Sequence, residues 1–132
     1  MNQFVGRRKE LAVLEEEWTR PSSGFVPIYG RRRVGKSELI LKFLQDKKAI
    51  YYVGKQAPPE LQIREFLRQA AEILEEPLLA GHPAEGWSQA LDLVMSRRGD
   101  EKIVCVFDEF QWMVEGAEEL PSLLQERWDL YS

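Results

Sequence analysis

One cysteine and one histidine are all the thiol and imidazole that 132 residues carry. A lone thiol cannot close an internal disulfide, so the core alone must hold the fold, and a reducing, cytoplasmic setting is expected. Cys105 lies inside the apolar run Ile103-Val104-Cys105-Val106-Phe107, where a small buried hydrophobe is a simpler reading than a nucleophile. His82 sits in a loop-like stretch with no partner pattern nearby and is assigned no role. No apolar run approaches the ~20 residues of a membrane-spanning helix, and no charged-then-apolar leader opens the chain. Internal repeats and low-complexity tracts are missing too. What is left is one domain at most, with the 44% hydrophobic content of an ordinary soluble chain.

The net charge of −4 conceals a split. Residues 1–55 hold twelve Lys and Arg against six Asp and Glu, a balance of +6, whereas residues 56–132 hold six against sixteen, a balance of −10. The basic part coincides with the one strong motif. From Phe25 the chain reads Phe-Val-Pro-Ile-Tyr and then Gly30-Arg31-Arg32-Arg33-Val34-Gly35-Lys36-Ser37-Glu38. This is Gly-x-x-x-x-Gly-Lys-Ser, the pattern of a phosphate-binding loop, set between a β-like run and an amphipathic segment. A triphosphate needs many donors at short range. Consecutive backbone N–H groups and the N-terminus of the following helix supply them. Gly30 and Gly35 permit a close backbone approach, Lys36 reaches the β- and γ-phosphate oxygens, and the Ser37 hydroxyl is an oxygen ligand for Mg²⁺. Chance would give the four fixed positions in roughly 0.5% of chains this long. The alternative is a basic loop without a ligand. The strand-before and helix-after context speaks against it.

In order, the chain predicts a helix from about Arg8 to Trp18, a loop over Thr19–Gly24, and a strand over Phe25–Tyr29 in which Pro27 fits only where its missing N–H would not have paired. A helix follows from about Lys36 to Leu44, with Leu39, Ile40, Phe43 and Leu44 inward, and then a strand over Ala49–Val53 ended by Gly54. Pro58-Pro59 opens a helix running to about Glu75, its apolar face drawn from Leu61, Phe66, Leu67, Ala70, Ile73 and Leu74. Glu76–Gly86 is a loop, Trp87–Arg98 another helix, and Ile103–Phe107 a strand buried on both faces. Phe110–Ala117 is a loop or short helix, and Glu118–Tyr131 a last helix with Leu120, Leu123, Leu124 and Trp128 inward.

Strands alternating with helices imply a parallel sheet with helices on both faces, whose ligands bind at the carboxyl ends of the strands. Gly30 and Asp108 both stand at such ends. An apolar strand followed by Asp108-Glu109 has the shape of a Walker B motif, with Asp108 in the Mg²⁺ shell and Glu109 polarising the water that attacks the γ-phosphate. A buried strand with a merely solvated acidic end is the alternative when this motif is taken alone. A base directly after the metal aspartate suits ATP, and no Asn-Lys-x-Asp guanine-reading motif is found.

Phe4-Val5-Gly6-Arg7-x-x-Glu10-Leu11, Tyr29-Gly30-Arg31-Arg32-Arg33-Val34-Gly35-Lys36-Ser37-Glu38-Leu39 and Phe107-Asp108-Glu109-Phe110-Gln111 together resemble the archaeal-type ATPase family, within the AAA-related and STAND branches of P-loop NTPases. The resemblance runs from Phe4 to about Asp129. It implies a three-layer α/β sheet of the ASCE type, with Val5, Gly6 and Arg7 beside the adenine, Gly30 to Glu38 around the phosphates, Ser37 and Asp108 on the metal, and Lys36 and Glu109 as the catalytic pair. ATP and Mg²⁺ are the implied ligands. Gln111 belongs to the resemblance without a physical role of its own.

The family's core order, 5-1-4-3-2, places a further strand between the Phe25 and Ile103 strands. The chain is therefore expected to be a partial ATPase domain with a gap in its sheet, residues 1–24 forming an N-terminal helix and linker and 25–132 the nucleotide-binding core. Hydrolysis is then expected of the longer parent protein. Its partners would be further copies of itself or an effector domain carried beyond residue 132. A nucleotide-gated switch with slow turnover uses the same residues. A DNA-associated protein using Arg31, Arg32 and Arg33 as a phosphate surface is a third reading, and no continuous basic stripe with interleaved aromatics calls for it.

Overall fold

A computed structural model describes residues 25–30, 36–99 and 101–131. Three strands, β1 (Phe25–Gly30), β2 (Ala49–Val53) and β3 (Ile103–Asp108), form a parallel sheet in the order β1-β3-β2. The helices are α1 (Lys36–Leu44), α2 (Pro59–Leu74), α3 (Trp87–Arg97), α4 (Phe110–Val114) and α5 (Leu120–Tyr131), with a 3-10 turn at Pro77–Leu79. These elements match the sequence expectations closely. The expected helix over Arg8–Trp18 and the loop after it lie outside the described residues, as do the side chains of Leu39 and Trp128.

The expected slot between β1 and β3 is corrected by the structure. The two strands pair directly, Phe25 opposite Ile103 through Gly30 opposite Asp108. Each carries a row of backbone donors and acceptors along its edge. With no other described strand between them, closing the ladder is the way both rows are satisfied. The described sheet thus has three strands, and the five-strand order implied by the resemblance is not reproduced in it. Pro27 falls on β1, an edge strand of this sheet, where proline is tolerated.

Side-chain alternation along β3 divides the core in two. Val104 and Val106 pack with Ile28, Ile40 and Phe43 beneath α1, while Ile103, Cys105 and Phe107 face the larger cluster under α2–α5. All six residues of β3 are buried, as its uninterrupted apolar sequence requires for the central strand. In the larger cluster Phe66 stands 5.5 Å from both Trp87 and Phe107, ring centre to ring centre, and Trp87 lies 6.2 Å from Phe107. Such tilted pairs add ~0.5–1.5 kcal/mol each beyond the area they bury.

The buried face of α2 follows Ile63, Phe66, Leu67, Ala70 and Leu74, an i, i+3, i+4 ladder. Leu61, expected inward, is exposed because it lies off that stripe. Gln62 takes a buried position beside it.

Arg127 ties α5 to α3. Its guanidinium is buried, pairs with Asp92 at 2.9 Å, and donates to the Ser88 hydroxyl at 2.8 Å and the Ser88 carbonyl at 3.2 Å. Several donors of the planar fork are thereby satisfied at once, the condition under which a buried cation is tolerated.

Full burial pushes the Cys105 thiol above its ordinary value of 9.0, because the thiolate is disfavoured away from water. A folded-state value raised above the unfolded one contributes stability below pH 9 that is lost as pH rises. The unfolding free energy should therefore decline between pH 9 and 10 with a slope approaching about 1.4 kcal/mol per unit. In urea titrations across that window Cys105→Ala should give a flatter profile than the parent. Equal slopes would show that the thiol is not linked to folding.

Candidate nucleotide site

Parallel pairing sets the geometry. Gly30, Asp108 and Val53 end their strands at one level, since Gly30 and Val53 are the register partners of Asp108 on either side. Neighbouring strands lie ~4.8 Å apart, so the first residue of the glycine-framed motif and the acidic end of β3 are adjacent. The helix α1 begins at Lys36, which puts Lys36, Ser37 and Glu38 in its first turn, where backbone N–H groups have no partner within the helix itself and the positive end of the helix dipole is found. Arg31, Arg32, Arg33, Val34 and Gly35 lie outside the described residues, as do Val5, Gly6 and Arg7.

Asp108 is 7% exposed, and both of its carboxylate oxygens are engaged. The Glu109 backbone N–H donates to Oδ1 at 2.9 Å, and the Tyr51 hydroxyl donates to Oδ2 at 2.7 Å. Tyr51 and Asp108 share the sheet face that carries Val104, Val106 and α1. A donor on each oxygen fixes the orientation of this carboxylate, and its oxygens are of the kind a hard cation prefers.

Glu109 directly follows β3 with φ 53° and ψ 43°, a left-handed conformation uncommon for a residue with a side chain. Such strain clusters at functional sites. The turn directs Phe110 and Met113 into the large core, with the Phe110 ring 4.8 Å from that of Tyr29. It leaves Glu109 half-buried at the sheet edge, its Oε2 accepting from the Gln111 amide at 2.8 Å and the Trp112 indole at 3.2 Å.

The β2 end supports this turn from behind. The Gly54 N–H donates to the Asp108 carbonyl at 2.8 Å. Gln62 accepts from the Lys55 N–H at 3.0 Å and donates to the carbonyls of Ala57 at 3.0 Å and Trp112 at 3.4 Å. At the rim Lys55 contacts Glu65 at 2.9 Å. Its hydrogen bond holds the Glu65 carboxyl below the usual range, while burial, with Glu65 accepting from its hydroxyl at 3.0 Å, pushes Tyr52 up.

Of the candidates described, Gly30, Asp108 and Glu109 share one edge with the start of α1. Tyr51, Gly54, Gln62 and Trp112 escaped the sequence reading. Their partners are remote in the chain or across a turn, and only the strand order reveals them. Period-2 alternation already placed Tyr51 and Tyr52 on opposite faces, the one signal that could have singled out Tyr51. Among the described residues no group of three or more His, Cys, Asp or Glu could hold a metal ion. No helix there is long and apolar enough to cross a membrane.

A family model described as an ATPase domain predominantly from Archaea matches residues 4–131. The chain is 28% identical over 128 residues to an uncharacterised protein of Methanocaldococcus jannaschii, a match covering 97% of this chain but only 26% of that protein. It is 51% identical over 45 residues to an uncharacterised ATP-binding protein of the same organism, covering 34% of this chain and 76% of that protein. No solved structure matches.

Gly54 is the test of the support behind Glu109. A Cβ there would lie 2.6 Å from the Glu109 carbonyl oxygen and 2.7 Å from Met113 Cγ, and the first contact is backbone that cannot rotate away. Gly54→Ala should lower stability by ~1–3 kcal/mol in urea unfolding. Gly86→Ala, whose added Cβ meets nothing within 4 Å, should cost much less. Equal effects would refute the close approach.

Proposed function

The chain belongs to the family of ATPase domains predominantly from Archaea, and on that premise we propose that it binds Mg-ATP at the carboxyl edge of its sheet and hydrolyses it. The observation that carries the reading is the register Gly30 opposite Asp108, which sets the start of the phosphate-loop motif beside an aspartate–glutamate pair. The relative named as ATP-binding, 51% identical over its 45 matched residues, supports the same ligand.

In this reading the N–H groups at the start of α1 and in the Gly30–Gly35 loop bind the phosphates, and Lys36 neutralises charge on the β- and γ-oxygens. Arg31, Arg32, Arg33, Val34 and Glu38 flank that contact, and Val5, Gly6 and Arg7 border the adenine. Ser37 and Asp108 would hold Mg²⁺; both offer oxygen, the donor a small hard cation prefers. When bound, the ion would neutralise negative charge on the phosphates. Glu109 accepts a proton from the water as its oxygen attacks the γ-phosphorus in line and the bond to the bridging oxygen of ADP breaks. The left-handed backbone at Glu109 supports this role, because it lets the carboxylate stay at the sheet edge while the chain turns into the core. Since the chain spans about a quarter of the first relative's length, the activity of any longer protein containing it is part of this proposal.

Glu109→Gln should retain ATP affinity within a few-fold and lose turnover by ~10²–10⁴. Lys36→Ala should lose affinity itself, and GTP should compete poorly with ATP in titrations with and without Mg²⁺. Unaltered hydrolysis in Glu109→Gln would remove the base assignment. A protein indifferent to ATP with and without Mg²⁺ would remove the whole reading.

A further inference from the structure

We propose that Gln111 and Trp112 are positioning residues that aim the Glu109 carboxylate at the attacking water, an inference that rests on reading Glu109 as the base. The Gln111 Nε2 and the Trp112 Nε1 both donate to Glu109 Oε2, at 2.8 and 3.2 Å. Two donors on one oxygen restrict the rotation of the carboxylate. Both are neutral, so they orient the group without neutralising it.

The donors stand on a rigid platform. Trp112 donates its own backbone N–H to the Glu109 carbonyl at 3.1 Å, and its carbonyl accepts from the buried Gln62. The flanking residues Phe110 and Met113 are buried in the core. A base must lie within hydrogen-bond reach and in line with the proton that it takes, so a side chain on a short turn gains accuracy from neighbours that are themselves held.

Gln111 carries a second sign of this role. Its Oε1 is buried and meets no hydrogen-bond partner among the described residues. A side chain selected for packing alone would be apolar at such a place and would avoid an unsatisfied acceptor. The opposite amide orientation would set that oxygen against the Glu109 carboxylate, so electrostatics selects the orientation in which Nε2 donates. The amide is accounted for by the donor it offers to Glu109. The sequence reading singled out Gln111 and left it without a role; this contact supplies one.

The test measures kcat, KM and ATP affinity in the protein and in Gln111→Leu, Gln111→Glu, Trp112→Phe and Glu109→Gln variants, with urea midpoints to confirm folding. Gln111→Leu should lower kcat ~10–100-fold while KM and ATP affinity move less than about 2-fold. Gln111→Glu keeps the shape but sets an acceptor against the carboxylate, and should be at least as harmful; near-native activity in it would reduce Gln111 to a spacer and overturn the proposal. Trp112→Phe should show the same kcat-selective loss. Added to Glu109→Gln, Gln111→Leu should cost nothing further, because no base remains to be aimed.

Full activity in Gln111→Leu with loss in Glu109→Gln would defeat the positioning role and leave the base assignment standing. Full activity in Glu109→Gln would defeat the base assignment itself. Independently of turnover, the Trp112 indole N–H resonance should shift in Glu109→Gln. A resonance that stays in place would show that the contact is not made.

Discussion

The parallel ladder between β1 and β3 is the constraint on which the rest depends. Register, rather than proximity in sequence, makes Gly30 and Asp108 neighbours, and a slip of one residue would turn the side chain of Asp108 to the opposite face of the sheet. That register is secured by burial on both sides. Val104 and Val106 must meet Ile28, Ile40 and Phe43, while Ile103, Cys105 and Phe107 must meet the aromatic cluster. A one-residue slip would violate both requirements at once. The chemistry at the sheet edge is thus placed by apolar packing several residues away from it.

Around that edge, polar groups are arranged so that each carboxylate is held by hydrogen bonds. Asp108 has a donor on each oxygen, Glu109 accepts from two side chains of α4, and Gln62 joins the β2 loop to the backbone of the same turn. Hydrogen-bonded networks of this kind hold side chains in one arrangement, and the cost of the buried Gln111 Oε1, which meets no partner among the described residues, is carried within it. The unusual backbone of Glu109 is embedded in the network from both sides, by the Gly54 approach and by the start of α4. Local strain is thereby offset by contacts that form only when the whole edge is assembled.

Much of the fold was readable along the chain, because each element announces itself locally. The β-branched and apolar composition of Ile103–Phe107, the Pro58-Pro59 start of α2 and the helical spacing of Trp87, Ala90, Leu91 and Val94 needed no tertiary information. Leu61 shows where local reading falters: at the start of a helix the buried stripe is set by what it packs on, and Ile63 and Gln62 won that contact. The expected slot in the sheet failed for a different reason. It came from the strand order of a resembled family, and strand neighbours are decided by long-range pairing.

For the site, the residue types and their spacing determined which chemistry to look for. Glycines, lysine and serine before a helix, with two acids after a buried strand, are interpretable because the needs of a phosphate and a hard cation are specific. Tertiary structure alone decided which groups surround the acids. Tyr51 reaches Asp108 across 57 positions, and Gln62 reaches Trp112 across 50, through contacts that no local pattern encodes. The left-handed turn that lets Gln111 and Trp112 reach back to Glu109 follows from the packing of Phe110 and Met113 into a core built by other elements. Sequence determines the inventory because side-chain chemistry is local; the fold decides the partners because hydrogen bonds and packing act through space.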